Sequence, residues 1–102
     1  MLTSEELETK LAQSPAPRVT ADYINSRIAT TEYLRIGQTV TLCSITLDNG
    51  YSVRGESACV NPENYNEEIG NKIAYDNAYH KLWPLFGFLL AEKQYLGAKN
   101  AQ

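Results

Sequence analysis

The chain has 102 residues, a hydrophobic content of 43%, a charged content of 21% and a net charge of −3. That composition describes one ordered globular domain with one core, too short for two. The acidity excludes a whole-surface affinity for nucleic acid or anionic membrane, and the longest apolar run, residues 82–91, is interrupted by Pro84 and Gly87 and falls short of the roughly 20 residues of a membrane span.

The N-terminus, MLTSEELETK, is acidic and has no apolar signal core, so it does not read as a secretory signal. Thr3 is placed as a helix N-cap with Glu6 three residues on, a capping box, and Leu2 and Leu7 can form the hydrophobic staple. The helix is expected to reach about Gln13, where Ser14-Pro15-Ala16-Pro17 ends it. Residues 1–17 thus form a helical arm and proline linker that packs weakly or serves a partner.

Val19-Thr20 repeats the pattern, with Thr20 as cap and Val19 stapled to Ile24. Ile24 and Ile28, at i and i+4, extend this helix to about Thr30. Tyr33, Leu34 and Ile36 then carry the chain to a turn at Gly37.

Residues 39–47 (TVTLCSITL) and 51–60 (YSVRGESACV) are rich in β-formers and flank Asp48-Asn49-Gly50, a hairpin signal. A two-residue loop would pair Ile45 with Arg54 and mix the faces. A three-residue loop with Gly50 left-handed pairs Leu47 with Tyr51, Ile45 with Val53 and Cys43 with Gly55, which gathers one apolar face. Ser44, Thr46, Ser52, Arg54 and Glu56 fall on the other, solvated face. Cys59 then pairs with Thr39, roughly 13 Å along from Cys43 at about 3.3 Å per residue, too far to bridge. Both thiols are expected to be reduced. Two cysteines and one histidine cannot make a usual four-ligand zinc site, so no metal or cofactor is expected.

Asn61-Pro62 leaves the strand, and Asn66 caps a long helix with Glu67 and Glu68 in its first turn. Gly70, Ala74 and Ala78 form a small-residue stripe that lets the helix lie close on a sheet or another helix. Tyr75, Tyr79, Leu82, Trp83 and Phe86 adjoin it as an aromatic face. Pro84 kinks or breaks the helix, a last apolar segment runs to Tyr95, and residues 98–102 are read as a flexible tail. The single domain spans residues 18–97. Its expected class is α+β: an antiparallel hairpin packed by an N-terminal helix and a long C-terminal helix kinked at Pro84.

No catalytic constellation stands out. His80 has Asp76 at i−4, a spacing that can pair them, but no nucleophile is located beside it, and GESAC is not a nucleophile elbow. Glu56 can pair with Arg54 on the solvated face, and Arg54, Lys72 and Lys81 could gather as a local anion patch. Asn61, Asn64 and Asn66 with Tyr65 offer neutral hydrogen bonds and a stacking ring at the strand-to-helix corner. For a small nucleotide-like ligand the candidates are Arg54, Asn64, Tyr65, Lys72 and His80. The segment past Pro84 carries more apolar surface than one hairpin covers, so a homo-oligomer or partner interface is expected at Trp83, Phe86, Phe88 and Leu89.

The string TVTLCSITLDNGYSVRGESACVNPENYNEEIGNKIAYDNAYHKLWPLFGFLL, residues 39–90, resembles the bacteriophage and prophage gene-49/gene-66 family, with a looser match from Arg18. That family consists of small accessory proteins of tailed phages without an assigned enzymatic activity. The resemblance implies a bacterial host cytoplasm as the place of action. A wider likeness is to phage sponges that sequester nucleotide immune signals, counter-defence proteins of the Thoeris anti-defence kind. It is carried by Ala58, Cys59, Pro62, Glu63, Gly70, Ala74 and Ala78, while Asn77 stands where a basic residue would suit a phosphate.

The expectation is therefore a non-catalytic phage accessory protein. It would bind a host component, either by sequestering a nucleotide signal or by blocking a host protein. A nucleic-acid-binding or regulatory phage protein is the alternative. The charge opposes that alternative, and only Tyr51 is well placed to stack a base on the sheet. A small enzyme using Cys59 or His80 comes third.

Overall fold

A computed structural model describes residues 3–12 and 16–100. The expected Leu2 contact, the helix end near Gln13 and the tip of the tail at 101–102 lie outside them. The elements run α1 (Ser4–Ala12), α2 (Ala21–Arg27), β1 (Ile28–Ile36), β2 (Val40–Leu47), β3 (Ser52–Ala58), a 3-10 turn (Pro62–Asn64), α3 (Glu67–His80) and α4 (Leu82–Asn100). The class is α+β, as expected.

The sheet has three antiparallel strands in the order β1-β2-β3, one more than the sequence suggested. β1 takes over where the second helix was expected to continue to Thr30. That helix stops at Arg27, and Ile28 turns to extended backbone (φ −79°, ψ 119°). The strand has no sequence signature because it is an edge strand. Leu34 and Ile36 are 59% and 48% exposed, so no alternation of buried and exposed side chains marks it in sequence. Gly37, at φ 61°, makes the turn into β2.

The second hairpin has the expected register. Cys43 pairs with Gly55 and Ile45 with Val53. Leu47 N–H donates to Tyr51 O (2.8 Å) and Cys59 N–H to Thr39 O (3.0 Å). Gly50 sits at φ 90°, the left-handed residue of a three-residue loop. Thr41, Cys43, Ile45 and Leu47 point inward and are buried. Both cysteines are free thiols.

α3 covers that face. Asn66 caps it through Oδ1, which accepts from Ile69 N–H (3.0 Å). Gly70, Ala74 and Ala78 are its buried residues and rest on β2 and β3. The approach depends on Gly55. A Cβ there would stand 2.5 Å from Ala74 O and 2.8 Å from Ala78 Cα. The small-residue stripe and the strand glycine are two halves of one contact.

The long C-terminal helix is bent by 23°. The break between α3 and α4 falls at Lys81, three residues ahead of Pro84. A proline disturbs the carbonyl four residues before it, here His80, and its missing N–H is harmless in the first turn of α4. Gly97 does not stop the helix, which continues to Asn100. Leu82 and Phe86 close the core from α4, with Ile24 from α2. Tyr79 ties α3 to α2, its hydroxyl donating to Asn25 Oδ1 (2.8 Å). At the other end of α2, Arg27 holds Asp48 of the hairpin loop with Nε 2.8 Å from each carboxylate oxygen, which raises the guanidinium pKa further.

Candidate functional sites: a strand-to-helix corner and a helical cleft

The corner is built by the exit from β3. Asn61 O accepts from Asn64 N–H (3.0 Å) and Pro62 O from Tyr65 N–H (3.1 Å). This tight turn throws the Tyr65 ring back across the sheet, where its hydroxyl meets buried Thr41 Oγ1 at 3.2 Å. Gly70 makes room for that hydroxyl, since a Cβ would come within 2.7 Å of Thr41 Oγ1. Over the Tyr65 ring lies the Arg35 guanidinium, 3.7 Å from the ring centroid, a cation–π stack from the edge strand. Beside these is a cleft of about 210 Å³ lined by Thr39, Thr41, Ser57, Cys59, Asn64, Asn66 and neighbouring apolar side chains. None of its lining residues is charged.

Of the five candidate ligand residues, the fold brings only Asn64 and Tyr65 together here. Arg54 stands exposed on the open face of the sheet and donates to Ser52 Oγ (2.9 Å) rather than pairing with Glu56. Lys72 lies on the outer side of α3 with its ammonium 2.8 Å from Asp76. That pairing takes Asp76 from His80, which ends α3 exposed. Lys81 donates to Arg54 O. The three cations therefore make no patch around one anion: two are committed to neighbours within the fold and one to its own strand. The sequence could not have nominated Arg35, because its partner ring is 30 residues away and the strand that carries it was not seen.

A second, larger cleft of about 430 Å³ lies between α2 and α4. Val19, Tyr23, Phe86, Leu89 and Leu90 give it apolar surface, and Arg18, Arg27 and Lys93 complete its lining, with the Arg27 guanidinium 5.8 Å from the Phe86 ring centroid. Tyr23 meets Phe86 edge to face with ring centroids 5.9 Å apart. The four interface candidates divide. Phe86 is 2% exposed and belongs to the core, whereas Trp83, Phe88 and Leu89 are exposed. Phe86 is internal because α2 lies against that side of α4.

Burial pushes the Cys43 thiol up, and burial likewise raises the Tyr33 and Tyr79 phenols. Cys43 is thus a packing residue under α3 with its nucleophilic form disfavoured. Among the described residues no three His, Cys, Asp or Glu side chains gather as a metal site would require. No helix among them is long and apolar enough to cross a membrane.

The Phage protein (N4 Gp49/phage Sf6 gene 66) family matches residues 19–94. That span takes in α2, the whole sheet, α3 and most of α4, and so both clefts. The chain belongs to this family. It is a phage accessory protein of the α+β class, and the acidic arm α1 lies outside the span that defines the family. No curated protein and no solved structure matches the chain.

Proposed function

We propose that this phage protein acts by binding rather than turnover, and that it captures a host protein through the outer face of α4. The observation that carries this reading is the composition of α4 around its circumference. Leu82 and Phe86 are spent in the core, yet Phe88 and Tyr95, seven residues apart and so on one side, stand 65% and 59% exposed. A helix that is apolar on all sides is normally covered on all sides, and aromatic side chains are the usual anchors of protein interfaces. Blocking a host protein in the cytoplasm of the infected cell, counter-defence included, needs affinity and abundance. It needs no nucleophile or base.

The test is capture from host cells by the tagged full-length chain. A host polypeptide should be retained at a defined stoichiometry, and Phe88→Glu with Tyr95→Glu should release it while leaving the fold unchanged by circular dichroism. A polypeptide retained equally by the variant would sink the assignment of the surface.

A second reading is favoured by the Arg35–Tyr65 stack. Tyr65 already presents a ring face to a planar cation, and a planar nucleoside could use the same surface with Asn64 and Asn66 supplying hydrogen bonds. The uncharged lining suits a neutral base or ribose better than a phosphate. At about 210 Å³ the cleft is smaller than the roughly 300–1,000 Å³ usual for small-molecule sites. Native mass spectrometry with host small-molecule extract would reveal a discrete adduct, lost in Tyr65→Ala, if this reading is right.

A further inference from the structure

The cleft between α2 and α4 has the character of a receptor for an amphipathic acidic helix: apolar side chains line it together with Arg18, Arg27 and Lys93. Arg27 is already engaged by Asp48, whereas Lys93 has no ion-pair partner among the described residues. The chain itself carries a helix of that chemistry. α1, SEELETKLA, has Glu5, Glu6 and Glu8 against one lysine. Leu7 stands 47% exposed, and at about 100° per residue Glu6 and Glu8 flank it on either hand. Nine residues make a helix of about 13 Å, and the stretch of α4 from Phe86 to Lys93 rises about 10 Å, so the lengths agree.

α1 does not occupy this cleft in its own chain. Residues 3–10 are exposed throughout, although the tether ends at Arg18, in the lining itself. We infer that the cleft receives α1 of a second copy of the chain, in a reciprocal arm exchange that makes a homodimer. Each subunit then contributes Leu7 to a cleft made by its partner, and each cleft is complete only in the dimer. Arm exchange is a low-cost route to a two-fold assembly because the contacts are used twice. This inference is independent of the host-protein reading, which rests on Phe88 and Tyr95 on another side of α4.

The test uses the full chain in a Cys59→Ala background, leaving only the buried Cys43 thiol. Leu7→Cys and Leu89→Cys are made as separate chains with tags of different mass, mixed and oxidised with diamide. The expected product is a disulfide-linked heterodimer containing both tags. Wild-type protein should elute as a dimer whose mass halves in Leu7→Asp and in Lys93→Glu. Combining Lys93→Glu with Glu6→Lys and Glu8→Lys should restore the dimer, a result that lost packing alone would not give. A monomeric wild type, a dimer that survives Leu7→Asp, or mixed single-cysteine chains that give no cross-linked heterodimer would each overturn the exchange.

Discussion

Replacing Gly55 with Ala tests the contact on which the fold is built. The added Cβ would lie 2.5 Å from Ala74 O and 2.8 Å from Ala78 Cα, while carbon contacts are optimal at about 3.5–4.0 Å. Both neighbours are helix backbone and cannot swing aside as a side chain could. α3 would have to lift from the sheet by about 1 Å, loosening buried Ala74, Ala78 and Cys43. Overpacking of this kind costs about 1–3 kcal/mol, and a backbone clash belongs at the upper end. Restricting the unfolded chain returns about 0.4–1 kcal/mol, leaving a net loss of about 2 kcal/mol. For a domain of this size that lowers Tm by roughly 8–16 °C. The control is Gly87→Ala, where a Cβ meets nothing within 4 Å. Because Gly87 lies within α4, alanine there should gain about 0.5–1 kcal/mol from helix propensity and raise Tm by several degrees. Thermal melts by circular dichroism read both. A Gly55→Ala protein melting within about 3 °C of wild type, less than about 0.5 kcal/mol, would refute the claim that α3 is seated on that glycine.

Tyr65→Phe removes the partner of the buried Thr41 hydroxyl and should cost about 1 kcal/mol in urea unfolding while leaving the ring and the Arg35 stack in place. With disulfide exchange reagent at pH 8, Cys59 should react in the native state, whereas Cys43, buried and with its thiol pKa raised, should react only on unfolding. The partly desolvated phenols predict a loss of stability in alkali. Tyr33 and Tyr79 have pKa values raised above 10.0 in the folded state, so between the unfolded and folded values the native state holds more protons. Stability is then full below about pH 10 and falls as pH rises beyond it. Melts at pH 8 and pH 10.5 should show the drop, and it should shrink in Tyr79→Phe measured against its own pH 8 value.

Local chemistry was legible wherever it was decided within a few residues. Thr20 and Asn66 cap their helices because a short polar side chain reaches a backbone N–H three residues on. The β2–β3 register follows from Asp48-Asn49-Gly50, since only one loop length puts Cys43, Ile45 and Leu47 on the side of Val53 and Gly55. The break ahead of Pro84 follows from the clash of a proline ring with the carbonyl four residues before it. Tertiary structure decided the rest. β1 is a strand because β2 lies beside it; most of its side chains are exposed and they show no alternation. Phe86 is core and Phe88 is surface because α2 covers only one side of α4. Asp76 pairs with Lys72 rather than His80, although both are one turn away. Arg35 and Tyr65, or Arg18 and Lys93, share a site only because the chain folds back on itself. Sequence spacing carries interactions of one helical turn or one strand pair, while a site assembled from distant segments exists only once the core has fixed where those segments lie.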